Sequence, residues 1–278
     1  MKQIFVLGTK QRGELVRYDM KSHQFLPFLS GISATDPTFS RDGKWVSYAS
    51  YPDHTLWRSR SDGTERMQLT FPPTDELFPV ISPDGTKVAF FTDKNEIFVL
   101  DMQGGQPQKV ADNACCASWS PDGNYLLHPV LLPPYGLQIA DLRTGKNSAV
   151  PSSDGMSGGY WLSQDTVMVL NANRTKFVIF NFKTKQWTDM PGGSSGDIRN
   201  FSPSPDGKYL YYTTAGAEPK ALRLRFADHR IETITSLKDF HRAINWGDTE
   251  INVAPDGSPV FTRDTGYQEI YALRVRWP

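Results

Sequence analysis

VISPDGTKVAFFT, residues 80–92, is a tight turn held between two apolar runs. Near copies stand at 38–50 (TFSRDGKWVSYAS), 118–130 (SWSPDGNYLLHPV), 203–214 (PSPDGKYLYYTT) and 252–264 (NVAPDGSPVFTRD). The turn aspartates are Asp42, Asp84, Asp122, Asp206 and Asp256. A degenerate copy, YWLSQDTVMVLN, puts Asp165 at the same point without the glycine. Successive spacings of 42, 38, 43, 41 and 50 residues lie in the range of a four-stranded propeller blade.

The motif explains itself as a hairpin. In Ser82-Pro83-Asp84-Gly85 the proline presets φ for the second position of a type I turn, and aspartate tolerates the third. Glycine takes the positive φ that follows, giving a three-residue hairpin with a bulge. A ring of metal-binding carboxylates is therefore not needed to account for the repeat. Around each turn the strands follow one scheme: a short strand enters, an alternating strand leaves, a third follows (EIFVLD, TLWRSR, GLQIAD, KFVIFNF, ALRLRF, EIYALRV), and a fourth comes after a second turn (RMQLTF, PQKVA, NSAVP, QWTDM, IETITSL). The one helix-like stretch is 236–247, where Leu237, Phe240 and Ile244 share a face.

Bulk composition supports one all-β domain over residues 1–278. The chain carries 22 glycines, 20 prolines and 12% aromatic residues, the usage of many strands and tight turns. Thirty basic residues balance thirty acidic ones, so nothing electrostatic points to nucleic acid as a partner. No apolar run is long enough to span a bilayer, so membrane insertion is not expected. Two cysteines, Cys115 and Cys116, are adjacent, which excludes a disulfide framework.

The repeated (W/F)SPDGK-x-(I/V/L)-A-F unit resembles that of the TolB-like β-propeller family over nearly the whole chain. QRGELVRYDMKSHQFLPFLSGIS and TLWRSRSDGTERMQLTFPP resemble most the propeller tail of bacterial winged-helix transcriptional regulators, although no winged helix is present here. The resemblance implies a β-propeller of four-stranded antiparallel blades. Seven blades are expected, starting from IFVLG and ELVRYD, with six as the alternative in which one end supplies spare strands. The first unit lacks an inner strand, so the chain reads as a segment of a longer one. The compartment is left open: cytoplasmic for a complete chain, extracytoplasmic for part of a membrane-anchored regulator.

Propellers host unrelated functions, so function must come from loops at the channel mouth. The mouth-facing loops are 32–36, 72–77, 112–116, 152–159, 192–200 and 240–250. Candidate ligand-binding residues on that face are Asp36, Glu76, Asn113, Tyr135, Arg199, Arg242, Asn245 and Trp246. The polar ones offer convergent hydrogen bonds, and Tyr135 and Trp246 offer stacking surface. GMSGG at 155–159 spells the nucleophile-elbow pattern but leads into a strand, against the strand-turn-helix that chemistry needs. No histidine pair has metal-ligand spacing, and no catalytic constellation is visible.

The expected function is a non-catalytic module that senses a small-molecule ligand or docks a protein segment, with no cofactor. The alternative is a metal-dependent propeller hydrolase, lactonase or lyase, holding Ca²⁺ or another divalent cation through Asp36, Glu76, Asn113 and Asn245. A third reading is a structural assembly scaffold.

Overall fold

The computed structural model describes residues 2–73, 75–192, 197–243 and 250–275. Among these, six four-stranded antiparallel sheets form the blades of a propeller, and no helix occurs. The first blade is Ala34–Phe39, Trp45–Ser50, Leu56–Arg60 and Met67–Gln68. The second runs from Glu76–Ile81 to Gln108–Asp112, the third from Ser118–Trp119 to Lys146–Ala149. The fourth extends from Ser157–Ser163 to Gln186–Asp189 and the fifth from Ile198–Pro203 to Ile231–Ser236.

The sixth blade comes from both ends of the chain. Asn252–Val253 and Pro259–Asp264 pair with Gly13–Asp19 and Gln24–Pro27 in the order last, last, first, first. The closing register sets Leu15 against Thr262 and Val16 against Phe261, and Arg263 Nε donates to Glu14 Oε2 at 3.2 Å. The expected seven blades are thus corrected to six. IFVLG, read as part of a blade, lies in Lys2–Lys10 and pairs with Tyr267–Val275, which contains EIYALRV. Both segments have strand character, but they leave the ring together as a two-stranded ribbon. The helix expected at 236–247 is also absent from its described part, 236–243. There Phe240 packs on Phe25 and Phe261 instead, with ring centroids at 4.9 and 5.7 Å. Tertiary contact overrides the local period.

Apolar alternation along each strand buries residues between neighbouring blades. Each described blade interface has its own cluster. Leu56 and Leu69 meet Val88 and Phe90 between the first and second blades. Leu77 and Phe91 meet Trp119 and Leu126 at the next interface. At the seam, Leu15 of the sixth blade packs with Ala34, Val46 and Tyr48 of the first. Leu15, Val46 and Tyr48 are essentially inaccessible, so burial of such side chains contributes about 1.5–3 kcal/mol each toward closure. Polar latches add to this: Trp119 Nε1 donates to Val80 O at 2.9 Å and Tyr211 Oη to Gly257 O at 3.1 Å, both between blades.

The repeated turn has the same internal wiring in four blades. In the second, Ser82 Oγ donates to Asp84 Oδ1 at 2.6 Å, which also accepts the Thr86 amide at 3.0 Å. The Lys87 amide returns to Ser82 Oγ at 2.9 Å. Ser40–Asp42, Ser120–Asp122 and Ser204–Asp206 repeat the hydroxyl–carboxylate bond at 2.7, 2.6 and 2.6 Å. The following glycines, such as Gly85 at φ 75°, take the positive φ the hairpin requires.

Candidate functional site

The inner strands do more than enter the turns. Register shifts fall between Thr35 and Thr38, Leu77 and Val80, Ser157 and Tyr160, and Ile198 and Phe201. Each is a bulge, which re-aims the backbone and its side chains. Asp36, Phe78 and Gly158 are left-handed there, with φ of 54°, 46° and 60°, and Cys116, just before the Ser118–Trp119 strand, is left-handed at 51°. Asp36, Phe78, Cys116, Asn200 and Glu250 each stand six residues before a turn aspartate. Gly159 holds that place in the fourth blade. All six line one cavity of about 600 Å³ in the channel.

Its walls are largely apolar, with Val80, Leu131, Met156, Tyr160, Leu170 and Phe201 among them. Two carboxyl groups meet at the seam of the sixth and first blades. The Asp36 amide donates to Glu250 Oε2 at 3.0 Å, and Thr35 Oγ1 donates to Asp36 Oδ2 at 3.2 Å. Asp36 is 3% exposed and Glu250 7%. Asp36 Oδ1 and Glu250 Oε1 are buried without a hydrogen-bond partner. Burial and the neighbouring Asp36 carboxyl push Glu250 well above the usual carboxylate range. Burial also raises Asp36, against a side-chain hydrogen bond with Glu250, the Thr35 hydroxyl, the Phe78 amide and His54, which favour its ionised form. A like-charge pair this close favours one shared proton.

Two basic side chains line the same cavity. Arg174 is committed to the next blade's backbone, with Nε on Ile198 O at 3.1 Å and Nη2 on Arg199 O at 2.7 Å. Arg199 pairs with Asp197. Cys115 and Cys116 hold their sulfurs 2.8 Å apart. Cys116 is exposed, and the contact with Cys115, the enclosing channel wall and the Asp36 charge raise its thiol well above its ordinary value. Cys116 is therefore a poor nucleophile at neutral pH.

Of the residues expected from sequence, Asp36 and Arg199 line the cavity and Tyr135 stands at its rim, 54% exposed. Glu76 is buried at the start of its strand, its amide on His54 O at 2.8 Å, away from the cavity lining. Asn113 clasps a loop: its Oδ1 accepts the Leu132 amide at 2.8 Å and its Nδ2 donates to Leu132 O at 3.3 Å. Arg242 lies in an isolated bridge to Arg263, outside the lining. Asn245 and Trp246 lie outside the described residues. Sequence reasoning named the loops that hold Cys116 and Glu250 without choosing either as a candidate, and passed over Phe78, although counting six back from each turn aspartate reaches all three.

No family model matches the chain. It is 29% identical over 107 residues to an uncharacterized protein of Agrobacterium fabrum, covering 32% of this chain and 36% of that one. An uncharacterized peptidase of Bacillus subtilis, YuxL, is 25% identical over 66% of this chain and 29% of its own length. A TolB homolog of Chlorobium luteolum is 35% identical over 28% of this chain and 18% of its own. The matches therefore span little more than a third of these relatives at most. Among solved structures, a TolB candidate from Agrobacterium tumefaciens superposes with a TM-score of 0.72 at 15% identity, covering 96% of this chain and 100% of that one. A nidogen/laminin complex gives 0.63 at 14% identity over 83% of this chain and 93% of that one. Oligogalacturonate lyase with manganese gives 0.57 at 14% identity over 93% and 78%. The chain has the TolB-like β-propeller fold.

Proposed function

We propose that this protein is a non-catalytic binding module that takes a small-molecule ligand or a protein segment into the cavity at the channel mouth. One observation carries the reading. The turns at one end of the blades are nearly identical, whereas the six equivalent positions at the cavity are Asp, Phe, Cys, Gly, Asn and Glu. A repeat that keeps its scaffold and diversifies one converging ring has the makings of a specific site. Protein docking draws support from the fold shared with a nidogen/laminin complex. The likeness of the sequence to regulator propeller tails favours a sensory unit of a larger protein.

The metal-enzyme alternative has one neighbour in its favour, the manganese complex of oligogalacturonate lyase. Against it, Glu76 and Asn113 do not join Asp36 at the cavity, and no metal-sized group of three His, Cys, Asp or Glu occurs among the described residues.

The test is a thermal-shift screen of sugars, nucleotides, amino acids, amines, short peptides and divalent metals, with EDTA as control, on the wild type and on Asn200→Trp. The tryptophan would fill the cavity from one ring position. A ligand that stabilises the wild type and not the filled variant supports the reading. Shifts indifferent to the variant, or a flat screen, would overturn it.

A further inference from the structure

The two carboxyls at the seam specify the kind of ligand. We propose that Asp36 and Glu250 form the receptor for an organic cation, a primary ammonium or guanidinium group whose apolar body lies against the cavity wall. This rests on the binding reading above and names its ligand chemistry.

Two buried acids in contact are costly unless a positive partner or a proton joins them. Among the described residues no basic side chain forms an ion pair with either: Arg199 pairs with Asp197, and Arg174 donates to backbone carbonyls. The two orphan oxygens, Asp36 Oδ1 and Glu250 Oε1, belong to groups that line the cavity. Once the shared proton leaves, they offer acceptor capacity beyond what the nearby Phe78 amide and Thr262 hydroxyl supply. An ammonium has three donors and a guanidinium five, which suits two carboxyls sharing an edge.

The surroundings favour an organic cation over a metal ion. A hard divalent cation requires about six to eight oxygen ligands. Here the wall beyond the acids is Phe78, Met156, Tyr160, Leu170 and Phe201, which would cover a hydrocarbon or aromatic body, the rings also attracting the charge. The other groups around the pair are His54, the Thr35 and Thr262 hydroxyls, the Phe78 amide, and the Cys116 thiol beside Arg174. When the cation enters, the shared proton leaves to solvent, so association releases up to one proton.

The experiment uses the whole chain and three probes that share a phenyl body: 2-phenylethylamine, 2-phenylethanol and 3-phenylpropanoate. Calorimetry in two buffers of different ionisation enthalpy gives affinity and proton release. The expected result is amine binding about tenfold or more tighter than the alcohol, no binding of the acid, and proton release with the amine alone. Asp36→Asn and Glu250→Gln should each lose that preference and leave alcohol binding unchanged. Asn tolerates the left-handed conformation at 36, and Gln at 250 keeps an oxygen for the Asp36 amide. If a variant fails to fold, the amine–alcohol contrast in the wild type still decides.

Alcohol or acid binding as tight as amine, all abolished by Asn200→Trp, would overturn the cation proposal and leave the cavity reading standing. A ligand from the screen alone, with all three probes silent, would do the same. Calcium chloride alone excluding the amine, and failing to bind Asp36→Asn, would hand the pair to a metal ion and overturn it. Silence in both experiments would remove both readings.

Discussion

Carboxylates at the two ends of the blades live under opposite rules. At the turns, Asp42, Asp84 and Asp206 are solvated and held below the usual carboxylate range, first by a serine hydroxyl and then by a backbone amide. Asp122 is held at about 2, because Ser120, Asn124 and Gln164 outweigh the upward push of burial. These groups spend their oxygens mainly on their own hairpins, Asp122 also reaching Gln164 on the next blade. At the channel, Asp36 and Glu250 are buried, raised, and keep two oxygens without partners. The acids that repeat build the fold, and those that depart from the repeat line the cavity.

The largest expected effect tests the building role. Gly43 has φ 71°, and a Cβ there would stand 2.8 Å from Pro255 Cβ of the neighbouring blade. Gly43→Val should cost about 3 kcal/mol, from strain and overpacking together. Gly85 has φ 75° and open space around it, so Gly85→Val should cost about 1–2 kcal/mol from strain alone. Urea unfolding of the two variants checks the order, and equal costs would remove the inter-blade contact from the account.

Next comes the turn carboxylate itself. Asp122→Ala strands the Ser120 hydroxyl and the Asn124 amide, for a loss of about 1 kcal/mol after allowance for solvent exposure. Asp36→Asn should cost nothing at neutral pH or stabilise, since it removes a buried like-charge contact. Parallel denaturation of the two variants compares them directly. Destabilisation by both would break the contrast.

The pH dependence sharpens it further, because the two sets have opposite signs. Asp42, Asp84, Asp122 and Asp206 have lowered folded pKa values, so the unfolded chain binds more protons. Their contribution is present above the unfolded value near 3.8 and is lost as pH falls toward about 2 for Asp122. For the raised pair the native state binds more protons. Stability is therefore highest when the pair is protonated and falls as pH rises from about 4 through the raised folded values. Urea midpoints from about pH 3 to about pH 8 should trace a dome, and Asp36→Asn with Glu250→Gln should flatten its upper limb only. An unchanged upper limb would show that the pair does not hold a proton in the folded state.

The smallest effect is at the rim. Tyr135→Ala should change stability by no more than about 0.5 kcal/mol, because the side chain is half exposed. It should nevertheless weaken any ligand whose body reaches the mouth. A ligand indifferent to Tyr135 would confine the contact surface to the deeper ring.

Hairpin chemistry was legible at once, since it depends on residues within one turn: serine, aspartate and glycine at fixed offsets, each with a local physical reason. The spacing of those turns made a four-stranded blade readable too, because each strand pairs mainly with the next along the chain. Blade number was not readable locally. IFVLG and EIYALRV look like blade strands by alternation and β-branching, and nothing in either says that they pair with each other while Gly13–Asp19 completes the last sheet. The choice belongs to ring closure, where Leu15 finds its pocket on the first blade.

The site divides the same way. Asp36 could be named from its loop, and five of the six mouth-facing loops named from sequence lend residues to the cavity lining, the exception being 72–77. Glu76 and Asn113 share those loops but turn elsewhere: Glu76 borders the Leu77–Val80 bulge, which re-aims side chains, and Asn113, at φ 53°, clasps Leu132. Glu250 lies 214 residues from Asp36 along the chain. Sequence alone determined the repeat and its turns, since these follow from local backbone preference and spacing. Only the tertiary structure decided that two of the ring's acids touch, because the seam that joins them forms when the last blade closes on the first.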